Sequence, residues 1–165
     1  MNILNSKKNK IRVNNKIKLS NIIHQSNVFL LHNINNKKQL LTKISSIVEN
    51  HVNISKKEIL NLLLEKENIE NTSIGSGIAL PNIKLSNIES SSGIFLKLNK
   101  PIHYNSIDNE PVDIIFFLMS PTNDFPIYLN ELAYISRFLT KKKTLQNIRA
   151  ALDKETIYAI ITNEL

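Results

Sequence analysis

The sequence predicts an α/β fold, a central mixed β-sheet with helices on both faces, and three observations point there. Apolar residues change period along the chain. Short runs rich in β-branched and aromatic residues, at 28–31, 93–98 and 112–119, are set among segments whose apolar residues recur every three or four positions. The run at 112–119 lacks polar alternation, as a strand covered on both faces does. Helical segments also lie both before and after the main strands, so each face of the sheet has helices to cover it.

Taken in order, residues 1–16 are rich in Asn, Lys and Ser without sustained periodicity. They predict a flexible basic extension, with the folded domain over 17–165. The run at 28–31 predicts a first strand. From 36 to about 48, Leu40, Leu41, Ile44, Ile47 and Val48 share one helical face. Ser55-Lys56-Lys57-Glu58 reads as a capping box, in which hydroxyl and carboxylate satisfy free N–H groups at a helix start. Ile59, Leu62 and Leu63 carry that helix to Lys66 or Glu67. Two of the three glycines then fall together in Ile74-Gly75-Ser76-Gly77-Ile78-Ala79-Leu80-Pro81, a tight turn, a short strand and a proline-stiffened exit.

Strands at 93–98 and 112–119 are joined by a connection from Pro101 to Pro111 that holds the turn-favouring pair Asp108-Asn109. The chain closes with helices. One, at 126–139, carries Ile127, Leu129, Leu132, Ile135, Phe138 and Leu139. Another spans 142–152. The last, capped by Asp153, reaches about Asn163 with Ile157, Ile160 and Ile161 inward.

The net charge of +7 raises the question of nucleic acid, and its distribution argues against that partner. Lys7, Lys8, Lys10, Arg12, Lys16 and Lys18 stand in the first eighteen positions without an acid, while the remainder is nearly balanced. A domain that grips phosphate backbones carries its basic face on folded elements. No apolar run approaches the ~20 residues that span a bilayer, and no secretory-type apolar stretch opens the chain. With no cysteine, disulfides, thiolate nucleophiles and cysteine-based metal sites are excluded. A cytoplasmic protein with neither nucleic-acid nor membrane partner is expected. The chain holds 24 Asn, 26 Ile and 18 Lys, a bias that leaves surface Lys and Asn with little functional information.

On its own physics the glycine stretch is either an ordinary loop-to-strand junction or a turn whose free N–H groups bind an anion. A glycine pair alone favours the former. The surrounding residues add more. Glu67, six residues, and then Ile74-Gly75-Ser76-Gly77-Ile78-Ala79-Leu80-Pro81 is similar to the signature of the fructose/mannitol-type enzyme IIA domains of the bacterial sugar phosphotransferase system. The likeness continues through Lys100-Pro101-Ile102, through Ile107-Asp108-Asn109-Glu110-Pro111-Val112-Asp113 and through the helix at 127–139, covering about 17–165. Asp-Asn-Glu-Pro-Val-Asp resembles the nitrogen-regulatory members more than the sugar-transporting ones.

The resemblance implies the mannitol/fructose-type IIA fold, with no cofactor and no metal. It also implies a phosphoryl group taken from the phosphohistidine of HPr onto a histidine ring nitrogen, which is nucleophilic near neutral pH and can leave again. The family places that acceptor where this chain has Asn82, followed by a small residue where it has Ile83. A supporting histidine falls on Tyr128 and a pocket arginine on Lys66. Gly75, Ser76 and Gly77 would supply the phosphate-pocket backbone. An amide nitrogen has its lone pair delocalised, so Asn82 is expected to be inactive as an acceptor. Lys66 keeps the charge but not the planar fork of arginine, Tyr128 retains a donor, and Ile83 is expected to crowd the approach of a partner.

Of the four histidines, His24, His32 and His51 lie in the first third, and His103 reads as a solvent-facing loop residue. Asp108 and Asp113 read as a turn cap and a solvent-facing strand end, and only weakly as metal ligands. Three functions follow. One is a regulatory module that is locked unphosphorylated and binds a target such as a kinase or potassium transporter. Another is a phosphocarrier that uses an unexpected acceptor. The third is a folded product of a decaying gene.

Overall fold

The structure, a computed structural model, describes residues 16–123 and 125–163. All of the expected basic extension but Lys16 lies outside them. Two 3-10 turns, Leu19–Asn21 and Gln25–Asn27, lead into β1 (Val28–Leu31), α1 (Lys37–Glu49) and α2 (Lys56–Ile69). The strands β2 (Ser73–Gly75), β3 (Ile78–Ala79), β4 (Asn82–Leu85), β5 (Ser92–Ile102) and β6 (Val112–Pro121) follow, and then the helices α3 (Phe125–Thr140), α4 (Lys142–Ala150) and α5 (Lys154–Thr162).

All six strands join one mixed sheet in the order β1-β5-β6-β3-β2, with β4 also paired to β6. β1 runs parallel to β5, and β3 and β4 run parallel to β6. The β5–β6 and β2–β3 pairs are antiparallel. The α/β expectation is met. Along β6, Ile114, Phe116 and Leu118 pack with residues of α3, α4 and α5, while Ile115, Phe117 and Met119 pack with residues of α1 and α2. Strand alternation thus divides one apolar run between two cores. Each such side chain contributes about 1.5–3 kcal/mol by leaving water, which is why the run needs no polar positions.

The expected caps at Ser55 and Asp153 form, and Asn36 caps α1 in the same way. Asn36 Oδ1 accepts from the Gln39 N–H at 2.9 Å, Ser55 Oγ from Glu58 at 3.2 Å, and Asp153 Oδ1 from Thr156 at 2.7 Å. Half of the capping box is realised, and Glu49 at the end of α1 takes the Lys56 N–H.

Several elements differ from expectation: α4 stops at Ala150 instead of 152, and β6 runs on to Pro121. α2 continues to Ile69, past Lys66 and Glu67. β5 extends through Pro101 to Ile102, because a register shift between Lys97 and Ile102 gives a proline without an N–H a place on the ladder. On α3 the buried stripe is Tyr128, Glu131, Ile135, Phe138 and Leu139, whereas Ile127 and Leu129 are 54% and 47% exposed.

The strand expected before Pro81 resumes after it, as β4. Ile78 and Ala79 pair with Ile114 and Ile115, and Asn82 and Ile83 with Leu118 and Met119, so the offset is the same on both sides of the break. Leu80 N–H turns away to Thr72 O, and Pro81, with no N–H to give, accepts from Leu118 through its carbonyl at 3.0 Å. One strand is interrupted for two residues, and Asn82 is the first side chain beyond the interruption.

Candidate functional site at the edge of β4

Among the described residues β4 pairs only with β6, so its other edge is open. Around that edge α2 arrives from one face of the sheet and α3 from the other. A cleft of about 270 Å³ results, lined by Leu62, Glu65, Lys66 and Ile69 of α2, by Asn82, Ile83 and Lys84 of β4, and by Tyr128 of α3. Asn82, Tyr128 and Lys66, three positions distant in sequence, come together here.

Each side chain has a defined setting. Asn82 Nδ2 donates to Leu80 O at 2.8 Å, a carbonyl freed by the interrupted strand, and Tyr128 Oη donates to Asn82 Oδ1. Both residues are buried, at 6% and 4% exposure. Lys84 places its ammonium 4.5 Å from the centre of the Tyr128 ring, a cation–π contact. Lys66 Nζ lies 3.4 Å from Glu70 one helical turn on. Burial works to lower the Lys66 pKa, and the Tyr128 hydroxyl and Glu70 carboxylate more than reverse this, so the group stands above the ordinary lysine value. Burial pushes the Tyr128 phenol up, against the pull of the Lys66 ammonium.

Ile83 corrects an expectation. Its side chain belongs to the core under α1 and α2 and is 5% exposed. The bulk that was expected to crowd an approaching partner is spent on packing, on the opposite face of the strand from Asn82.

The glycine turn is not brought to the cleft. Gly77 O accepts from the N–H groups of Asp113 and Ile114, whereas Asn82 pairs with Leu118. Five residues of β6 therefore separate the two places, roughly 17 Å at strand rise. The Ser76 N–H is already engaged by Asp108 Oδ2 at 2.9 Å. Gly75, Ser76 and Gly77 thus form a clamped structural turn, all three at positive φ, and not the phosphate-pocket backbone expected of them.

Asp108 does cap this turn, and the backbone N–H groups of Ser76 and Glu110 hold its pKa below the usual carboxylate value. Asp113 is not a solvent-facing strand end. It accepts two hydrogen bonds from Arg149, at 2.8 and 3.0 Å, and Arg149 also donates to Ser76 O at 2.6 Å. Nothing in the sequence around Arg149 signals that role. Lys84 was also passed over, although its position two residues beyond Asn82 on a strand puts it on the same face.

A second network fixes the cleft from behind. Glu67, next to Lys66, accepts hydrogen bonds from Thr72 and Tyr104 and pairs with Lys37 Nζ at 2.5 Å. The end of α2 is thereby tied to α1 and to the chain after β5. None of His24, His32, His51 and His103 lines the cleft. His103 is exposed just beyond Ile102, which pairs with Val112 at the far end of β6. Among the described residues no group of three or more His, Cys, Asp or Glu could hold a metal, and no helix is long and apolar enough to cross a membrane.

A mixed sheet flanked by helices is shared with solved phosphotransferase-system IIA proteins. The nitrogen regulatory protein IIA-Ntr of Neisseria meningitidis superposes with a TM-score of 0.81 at 23% identity, over 87% of this chain and 99% of that one. The mannitol IIA of Escherichia coli, solved in complex with phosphorylated IIB, superposes with a TM-score of 0.71 at 10% identity, over 87% and 100%. In sequence, a nitrogen regulatory protein of Bradyrhizobium diazoefficiens is 31% identical over 128 residues, which is 78% of this chain and 84% of the relative. Residues 21–164 match the family described as the phosphoenolpyruvate-dependent sugar phosphotransferase system, EIIA 2, and the chain belongs to that family.

Proposed function

We propose that this chain is a nitrogen-regulatory IIA-like protein that carries no phosphate and acts by binding other proteins in the cytoplasm. The observation that supports this best is the state of Asn82. Its carboxamide stands where the family's acceptor imidazole is expected, and both its ends are engaged inside the protein by Leu80 O and the Tyr128 hydroxyl. A carboxamide nitrogen is neither nucleophile nor leaving group near neutral pH, and no histidine lines the same cleft. The surface beside it favours a protein partner. Ile69 on the cleft wall is 85% exposed, and Ile127 and Leu129, on either side of Tyr128 in the chain, are more than 45% exposed. Apolar groups around a recessed polar centre are what a docking partner covers.

The mannitol relative was solved with a phosphorylated IIB, and HPr is the corresponding donor that the family resemblance implies. A kinase or a potassium transporter fits a nitrogen-regulatory role. Incubation with phosphoenolpyruvate, enzyme I and HPr, read by intact mass, is the test. The expected result is no phosphoryl-sized gain. A gain that disappears on mutating His103 would instead establish a phosphocarrier with a displaced acceptor. Asn82→His together with Tyr128→His should recover labelling only in part, because Lys66 still lacks the fork of an arginine.

A further inference from the structure

A second cavity lies at the other end of the sheet, where β1 stops at Leu31, opposite Leu98, while β5 runs on to Ile102. The shortness of β1 leaves a notch of about 380 Å³ beside the connection from α4 to α5. Its walls are mainly apolar: Leu30 and Leu31 of β1, Leu98 and Pro101 of β5, and Ala151 and Leu152 just past α4. Leu98 is 3% exposed, and Leu152 at the rim is 89% exposed. Two cations are fixed in the notch. Lys97 Nζ donates to Arg149 O at 2.7 Å and to Ala151 O at 2.6 Å, carbonyls that the end of α4 leaves without helical partners. Arg149 gives Nε to Asp113, and Nη2 to Asp113 and to Ser76 O. Among the described residues the one acid on the wall is Asp113, and Arg149 takes both its oxygens. His32 stands exposed at the mouth.

Donors remain on both cations. An ammonium has three N–H groups and a guanidinium five. Lys97 uses two of its three, and Arg149 uses Nε and Nη2 and keeps the two of Nη1. We propose that the notch binds a small monocarboxylic acid with an apolar tail, its carboxylate received by Lys97 and Arg149 and its tail laid against Leu30, Leu98 and Leu152. Each part of that ligand answers a feature of the wall. Two cations against one acid favour a monoanion. Carbonyls and a carboxylate already hold both cations in place, so little side-chain freedom is lost on binding. A mostly apolar wall with a few placed polar groups, in this range of volume, is the make-up of small-molecule sites. Burial holds the Lys97 pKa below the ordinary lysine value, against the pull of Asp113, and an anion beside it reverses this. A bare inorganic anion leaves the leucines in water. A neutral apolar molecule displaces water from the donors without replacing its hydrogen bonds. The notch adjoins Asp113, whereas Asn82 pairs with Leu118 toward the other end of β6, so binding here is independent of what Asn82 does.

The test titrates the full chain with isocaproate and with hexanoate at neutral pH and follows backbone amide shifts by NMR. Saturable shifts are expected at Leu30, Lys97, Leu98, Ala151 and Leu152, and none at Lys66 or Tyr128. Isocaproamide, the same shape without the charge, should bind at least about tenfold more weakly, the scale of one charge-assisted hydrogen bond. Acetate, which keeps the charge and lacks the tail, should also lose about tenfold or more. In Lys97→Met the acid should lose its advantage over the amide. Leu152→Asp, at an exposed position with little packing to lose, should keep the native melting temperature and bind isocaproate at least about tenfold more weakly. If Lys97→Met fails to fold once the α4 carbonyls lose their donor, Leu152→Asp and the comparison of acid with amide decide alone. The site is overturned by the absence of saturable shifts with either acid, by equal binding of acid and amide, or by shifts centred on the cleft at Asn82. It is overturned equally if Leu152→Asp binds as the unmutated chain does. Acetate or inorganic phosphate binding as tightly as the longer acids means an adventitious anion patch only, and overturns it as well.

Discussion

At the scale of single residues the cleft is held by a short chain of donors and acceptors, from the Tyr128 hydroxyl to the Asn82 carboxamide to Leu80 O. Removing one member strands another in a place water reaches poorly. Tyr128→Phe leaves Asn82 Oδ1 buried without its donor and should cost about 1–3 kcal/mol, read as a lower urea midpoint at unchanged slope. Asn82→Ala in the Tyr128→Phe background should cost less than it does alone, since the two residues satisfy each other. The phenols also give a pH dependence. Burial raises the pKa of both Tyr104 and Tyr128 above the ordinary tyrosine value. A phenol whose folded pKa is raised lends stability that is complete below its unfolded pKa, about 10, and that is lost as pH climbs from there through the folded value. Stability should therefore fall steadily above about pH 10. In a titration of tyrosinate absorbance, part of the signal from the four tyrosines should be withheld until the chain unfolds.

At the scale of elements, the β2–β3 turn is fastened by side chains from three directions. Asp108 holds the Ser76 N–H, Arg149 holds Ser76 O, and Asp113 holds Arg149. Gly77 is at φ +77°, and a Cβ there would stand 2.5 Å from Arg149 Nη2, 2.9 Å from Asp113 Oδ1 and 3.2 Å from Pro111 O. Gly77→Ala should thus lose about 1–3 kcal/mol through the backbone alone, and more through the displaced ion pair. The measurement is a thermal melt, in which Gly77→Ala should cost less in an Arg149→Met background than alone, because the guanidinium that a Cβ would meet is already gone.

The same elements show what a sequence displays of itself. The caps at Ser55 and Asp153 were legible because each pairs a side chain with an N–H three residues on. The two-faced β6 was legible because periodicity is local. Asn82, Tyr128 and Lys66 were recognisable as a set through the family's signature, without which no spacing joins residues on three elements. Arg149, Lys97 and the Glu67 network were not legible, since their partners lie far off in sequence: Asp113 for Arg149, the carbonyls of Arg149 and Ala151 at and just past the end of α4 for Lys97, and Lys37 and Tyr104 for Glu67. The turn at Gly75–Gly77 misled because two glycines in a signature suggest an anion, whereas here they answer a need for positive φ.

At the scale of the whole molecule, β6 belongs to both cores at once, and the two halves cannot melt apart without exposing it. Amide exchange of Ile114 to Leu118 should proceed only through global unfolding and report the full unfolding free energy, with α4 and α5 opening at lower cost. A set of β6 amides that exchanges faster than the slowest α1 amides would show that the two layers unfold separately. The interruption at Leu80–Pro81 acts at this scale too. Pairing with β6 keeps one offset on both sides of it, and within the break Pro81 O accepts from Leu118 while the Leu80 N–H goes to Thr72 O. Position 82 is therefore a socket. The ladder with β6 that displays the side chain there is made by backbone alone, so a substitution at 82 changes what faces the cleft and the bonds to Leu80 and Tyr128 while the register of the sheet is kept.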